Sequence, residues 1–246
     1  MVNWTTTSAQ SVAHGVKMLV HAESGAGKTL LCATAPKPVI ISAESGLLSL
    51  ARSNIERTFG PNRPGITYDI PVMQVNTLQQ FEEAYNFFAN PGNHAGDHCH
   101  TICIDSLSEI AEQMLKHWKS AKRDPRQAYG EMADGMIDHV RKFRDLPGFH
   151  VYATAKQVAA KDEQTGTTRY TSSMPGKQLG PNLPYYFDEV FRLGVAADQG
   201  KVWRYLQTGM DMQYVAKDRS GALELYEQPD LTNIINKILG GNTHGR

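Results

Sequence analysis

An α/β fold with a mostly parallel central sheet is what this 246-residue sequence predicts. Three observations predict it. Short apolar runs of strand length alternate with stretches of helical periodicity. The runs "VKMLVH", "PVIISA", "TICID" and "HVYATA" are nearly continuous rather than alternating, as strands buried on both faces are. Two later runs, "EVFRLGV" and "KVWRYLQT", are joined by the short turn "AADQG" and read as an antiparallel pair.

Taken in order, residues 16–21 form a strand that feeds a glycine-rich turn and then a helix through "KTLLCATA". Residues 38–43 form a second buried strand, and "LLSLARSNIERTF" a short helix. Residues 66–75 are extended. An amphipathic helix covers 77–90, with Thr77 as its N-cap, and "PGNHAGDHCH" is a loop. The third buried strand is 101–105. Helices follow over 108–123 and 127–146, the second despite two glycines. After the fourth strand, 150–155, the segment 156–186 is rich in Gly, Pro, Ser and Thr and reads as irregular, with a small hairpin at "QTGTTRYT". The strand pair 189–195 and 201–208 comes next, and "DLTNIINKIL" (230–239) closes the chain as a helix. No boundary interrupts this order. The chain reads as one domain with a core over about 14–239 and a short polar arm over 1–13.

Lys plus Arg and Asp plus Glu are both 25, so the formal charge is zero. A globally basic nucleic-acid surface is thereby excluded, and any such surface must be local. Three cysteines, Cys32, Cys99 and Cys103, make no disulfide framework and suit a reducing cytosol. The N-terminus is too polar for a signal peptide, and no apolar run reaches membrane-spanning length. The group His94, His98, Cys99, His100 and Cys103 raises zinc. It contains no paired Cys-x-x-Cys, however, and Cys103 belongs inside a strand.

The chemistry begins at "AESGAGKT", residues 22–29, between a strand and a helix. That is the setting of a phosphate-binding P-loop. The residues Ala22, Glu23, Ser24, Gly25, Ala26, Gly27, Lys28, Thr29 and Leu30 would bind the nucleotide, with the backbone amides around Ser24 to Lys28 pointing inward to cradle phosphate oxygens. Gly25 and Gly27 permit the backbone angles, Lys28 reaches the β- and γ-phosphates, and the Thr29 hydroxyl holds Mg²⁺. Ala22 stands where glycine usually opens the motif. Asp105, ending the buried strand 101–105, is the second metal-site carboxylate, or else the cap of the next helix.

A carboxylate to activate water is still needed. The position after Asp105 is Ser106, so that strand carries no adjacent base. Glu44, at the end of "VIISAES", is one candidate. Glu109, one helical turn beyond Ser106, is the other. A third reading makes Glu44 a charge complementing the dipole of a helix over 46–53.

At these residues a family resemblance enters. "AESGAGKT", "IISAES" and "ICIDS" resemble, in order and spacing, three motifs of the RecA/RadA superfamily of P-loop ATPases. The resemblance implies a RecA-like P-loop NTPase core, with Glu44 as the catalytic glutamate and ATP and Mg²⁺ as cofactors. "AKDR" resembles the family's Lys-x-Arg pair, which implies that Lys217 and Arg219 reach a neighbouring subunit's ATP. "ATAKQ" occupies the sensor position, implying Lys156 or Gln157 beside the γ-phosphate. The family's two DNA-facing loops fall near 119–130 and 157–182. They offer Lys119, Lys122, Arg123, Arg126 and Tyr129 in the first and Lys161, Arg169, Tyr170 and Lys177 in the second. Cations suit phosphates and aromatics suit bases.

The short core, with "YYFDEVFRL", resembles the RecA-core single-strand annealing and recombination proteins of bacteriophages. That likeness implies an oligomeric, DNA-stimulated ATPase of the bacterial host cytoplasm. Its implied partners are single-stranded DNA, further copies of itself and a single-stranded-DNA-binding protein, with no membrane. A helicase-like motor or helicase loader, and an ATP-gated assembly or regulatory protein without DNA binding, stay open beside it. A small-molecule kinase lacks any acceptor or lid motif.

Overall fold

The computed structural model describes residue 6 and residues 13–44, 46–161 and 166–240. Its centre is a set of parallel strands: β1 (Lys17–Ala22), β2 (Pro38–Ser42), β3 (Val72–Gln74), β4 (Thr101–Asp105), β5 (His150–Lys161) and β7 (Glu189–Asp198). They lie side by side in the order β3-β2-β4-β5-β1-β7, and β8 (Lys201–Gln207) and β10 (Tyr226–Glu227) extend the sheet antiparallel beyond β7. β1, β2 and β4 are buried at every residue, which is why their sequences are mostly apolar, with polar residues confined to a few positions such as Lys17, His21 and Asp105. The expected α/β class, with an antiparallel C-terminal pair, is what forms.

Helices cover both faces. On one side α3 (Leu78–Ala89), α5 (Leu107–Ala121), α6 (Pro125–Arg144) and the short α7 (Leu179–Asn182) pack with Leu19, Ile41, Ile102, Ile104 and Val151 of the sheet. On the other, α1 (Lys28–Leu31) and α8 (Leu231–Gly240) pack with Met18, Val20, Ile40, Tyr152 and Phe191. α2 (Arg52–Phe59) and the one-turn α4 (Ala95–His98) lie at the margins. Thr77 caps α3 as expected, its side chain accepting from the Gln80 amide at 3.2 Å. Asp124 caps α6, and Pro125 occupies its first turn, where a missing N–H is harmless.

Two expectations are corrected. The extended segment 66–75 contributes only the three residues of β3. The segment 156–186 is not irregular. β5 runs past the sheet and folds back on β6 (Thr168–Ser173), pairing Lys156 with Ser173 through to Lys161 with Thr168. Its tip, 162–165, lies outside the described residues, as does most of the polar arm. Cys99 and Cys103 are buried, and no group of metal-ligating side chains occurs among the described residues.

Chain order leaves β1 at the middle of the sheet with β5 on one side and β7 on the other. The connection out of β1 crosses over β5 and β4 to reach β2. In open α/β sheets such a reversal leaves a crevice at the carboxyl ends of the strands. Here that edge carries Ala22, Ser42, Asp105 and the Lys156–Gln157 pair.

Candidate functional site

The phosphate loop leaves β1 at Ala22 and enters α1 at Lys28. Gly25 and Gly27 have φ of 77° and 108°, in the region that favours glycine. An added Cβ at Gly25 would meet nothing within 4 Å, so the rim there is open. The Lys28 ammonium folds back over the loop and donates to the carbonyls of Ala22 at 3.0 Å and Glu23 at 3.1 Å. Burial pulls its pKa below the ordinary lysine value, against the opposing pull of Asp105 and Glu44. A cation held there, partly stripped of water, is ready to exchange carbonyls for phosphate oxygens. Tyr152 secures the start of α1 from below, its hydroxyl donating to the Lys28 carbonyl at 2.8 Å.

Thr29 and Asp105 come together as expected. The Thr29 hydroxyl donates to Asp105 Oδ2 at 2.7 Å. Asp105 Oδ1 accepts from the Thr154 hydroxyl at 2.5 Å. Asp105 is therefore a buried carboxylate fixed by two hydroxyls, not a helix cap. The cap of α5 is Ser106, whose hydroxyl accepts from the Glu109 amide at 3.3 Å. A hydroxyl beside a carboxylate is a hard-oxygen set suited to Mg²⁺ and its waters.

Glu44 faces this pair from the end of β2. Its Oε1 accepts from the Ser106 hydroxyl at 2.9 Å. Its backbone carbonyl accepts from Ser42 Oγ at 2.8 Å. Serine after Asp105 thus does more than leave a base position empty: it caps α5 and orients Glu44. The dipole reading of Glu44 has no helix to rest on, because 48–50 form one 3₁₀ turn and α2 begins only at Arg52.

A cleft of about 560 Å³ holds these residues together. Its lining includes the loop from Ala22 to Gly25, Gly27 to Leu30, Glu44, Ser49, Asp105, Ser106, Lys156 and Gln157. Glu109 is not part of that lining. Its carboxylate lies 3.2 Å from the Lys156 ammonium, which also meets Glu112 at 2.7 Å. Burial works to lower the Lys156 pKa, but these carboxylates raise it above the usual value. Gln157 leans the other way, toward the fully buried His21 of β1, at 3.2 Å. The other ring nitrogen of His21 is 2.7 Å from the Val215 carbonyl. Burial first of all lowers the His21 pKa, so the ring is a neutral bridge.

Lys217 and Arg219 lie elsewhere. β9 (Lys217–Asp218) pairs with the start of β7, and Arg219 sits beside Asp188, at the opposite end of the sheet from the chain's own phosphate loop. Lys217 turns inward and donates to the carbonyls of Pro184 at 2.8 Å and Phe187 at 2.5 Å. Arg219 is 59% exposed and bonds Asp188 at 2.8 Å. Only the arginine presents its charge outward.

The residues expected to face DNA form two groups. Lys119 lies 5.1 Å over the Tyr129 ring, and Gly176, next to Lys177, abuts that same ring. Lys122 is partly spent on Glu131, at 3.0 Å, while Arg123 and Arg126 are exposed nearby. Lys161, Arg169 and Tyr170 belong to the β5–β6 hairpin instead. Tyr170 stacks on Tyr214 with centroids 5.1 Å apart, and its backbone bonds Gln213 and Val215.

Sequence reading missed Thr154, Tyr152 and His21 because each sits in a buried strand run, where a polar side chain gives no sign of which neighbour it will meet. Only the paired register of β1, β4 and β5 shows them at the site.

Comparison with protein families matches residues 14–220 to the AAA domain. No curated protein matches the chain. Among solved structures, the KaiC-like protein PH0186 from the hyperthermophilic archaeon Pyrococcus horikoshii OT3 is similar over 78% of this chain and 77% of its own, with 14% identity and a TM-score of 0.43. The family match runs from just before β1 to the turn beyond Arg219, and so takes in every residue of the cleft. The chain belongs to the AAA domain family.

Proposed function

We propose that this protein is an oligomeric, Mg²⁺-dependent ATPase that binds single-stranded DNA and promotes annealing or recombination. The observation that carries the ATPase part is the approach of Glu44 to the Thr29–Asp105 pair, with Ser106 joining the two sides. ATP fits the cleft through the amides of the loop and the Lys28 ammonium. Mg²⁺ would be held by Thr29 and Asp105, where it would neutralise phosphate charge. Glu44 orients the attacking water and accepts its proton. Lys28 stabilises the charge that spreads over the γ-phosphoryl oxygens. Gln157 and Lys156 flank the same space.

Arg219 supports the oligomer. It lies too far from its own cleft to serve it, and it is exposed on the opposite end of the sheet. A neighbour packed head to tail would receive it, which makes a ring or a filament. Lys217 then acts by fixing the strand that presents Arg219. The DNA part rests on the clustering of Lys119, Tyr129 and Lys177 with exposed Arg123 and Arg126, and on the cations of the hairpin.

A gel-shift with a labelled oligonucleotide and a non-hydrolysable ATP analogue tests the DNA part. A shift that weakens as salt rises is expected. No shift at low salt removes DNA from the proposal and leaves the ATP-gated assembly reading. Directional unwinding of a duplex would assign the motor reading instead.

A further inference from the structure

We propose that Arg204 is a positioning residue for the phosphate loop, an inference that rests on the ATPase reading above. Arg204 lies on β8, 178 residues from the loop, and its Nε donates to the Ala26 carbonyl at 2.7 Å. The side chain lies flat against Gly27: a Cβ there would be 3.2 Å from Nε and 3.5 Å from Cδ. Glycine at this position therefore serves two ends, its φ of 108° and the close approach of the arginine.

The consequence follows from peptide geometry. In a planar trans peptide the carbonyl and the next N–H point in opposite directions. With the Ala26 carbonyl held toward Arg204, the Gly27 N–H points away from it. Gly27 lines the cleft, whereas Ala26 is only 5% exposed and does not. Arg204 thus turns one amide donor into the phosphate cradle from behind.

The reverse orientation would be costly. Flipping the Ala26–Gly27 peptide would set its N–H against the guanidinium, donor against donor. It would also aim a carbonyl oxygen at the phosphates. Glycine makes such a flip easy, and the neighbouring bonds resist it weakly: Ala26 N reaches Glu23 O at 3.4 Å and Leu31 N reaches Gly27 O at 3.2 Å. Among the described residues no carboxylate forms an ion pair with Arg204, so its charge also faces the loop uncompensated. The hairpin of β7 and β8 brings it there, with Arg204 opposite Val195 and β7 alongside β1.

The test uses the full chain as wild type, Arg204→Ala and Arg204→Lys. It measures Kd for a fluorescent ATP analogue, kcat and KM for ATP, and the melting temperature. Loss of a charge-assisted hydrogen bond should raise Kd and KM by about tenfold in the alanine variant, with a much smaller change in kcat. The melting temperature should stay within about 2 °C of wild type, because the residue is an exposed one on an outer strand. Lysine keeps a donor and the charge, and should return Kd to within about threefold of wild type.

An alanine variant that binds ATP within twofold of wild type overturns the inference. So does a weakened variant that melts early and is not rescued by lysine, since that marks a merely structural role. Wild type that binds no nucleotide at all defeats the ATPase reading itself and takes this inference with it.

Discussion

Glu189 shows how a single residue can set a pH response away from the cleft. It is 1% exposed, and burial, followed by the charge of Asp218 across the strand pair, pushes its carboxyl up to about 8. Lys217, Arg219, Asp188 and His14 lie in the same neighbourhood. The folded chain therefore holds a proton there that the unfolded chain releases near 4.5. Stability from this group falls as pH rises from 4.5 towards 8, and the penalty is complete above 8. Glu189→Gln removes that dependence. Thermal melts should show little difference from wild type near pH 5 and an advantage of roughly 5 °C by pH 9. An equal difference at both pH values would show that Glu189 is not the titrating group.

At the scale of elements, much of the fold was legible because buried parallel strands write themselves as unbroken apolar runs. β4 forms over the very residues expected, and β1 and β2 within one residue at each end. The phosphate loop was legible for a different reason: its backbone angles demand glycines at fixed offsets. The β5–β6 hairpin was not legible at full length. Its β6 arm is polar and rich in Thr and Ser, its buried residues are Thr171 and Ser172 rather than apolar ones, and the pairing depends on β5 simply continuing out of the sheet. In the same way, the role of Ser106 was half visible. Its position after Asp105 could be read, but its hydrogen bond to Glu44 depends on β2 and β4 being neighbours. Arg204 carried no signal at all, since a charged residue on an outer strand normally faces solvent.

At the scale of the whole molecule, the cleft and Arg219 lie at opposite ends of one sheet, so on the proposed reading Arg219 serves the site of a neighbouring copy. Arg219→Ala should leave ATP binding within about twofold of wild type, because its ion pair with Asp188 is surface-exposed and worth little to the fold. It should still abolish most turnover. Mixing it with Lys28→Ala should restore part of the activity, since some interfaces then join an intact loop to an intact arginine. Mixtures no more active than their components would remove the shared site. On the proposed reading the chemistry within each site turns on Glu44, whose carboxylate accepts from the Ser106 hydroxyl and lines the same cleft as Thr29 and Asp105. Its rival Glu109 does not line the cleft and is paired with Lys156, which does. The most direct measurement is single-turnover ATP hydrolysis by Glu44→Gln and Glu109→Gln, each with its ATP affinity measured alongside. The Glu44 variant should bind ATP as wild type does and turn over at least about a hundredfold more slowly, as loss of a general base requires, while the Glu109 variant stays near the wild-type rate. Wild-type turnover by Glu44→Gln, or a collapse confined to Glu109→Gln, would contradict the account.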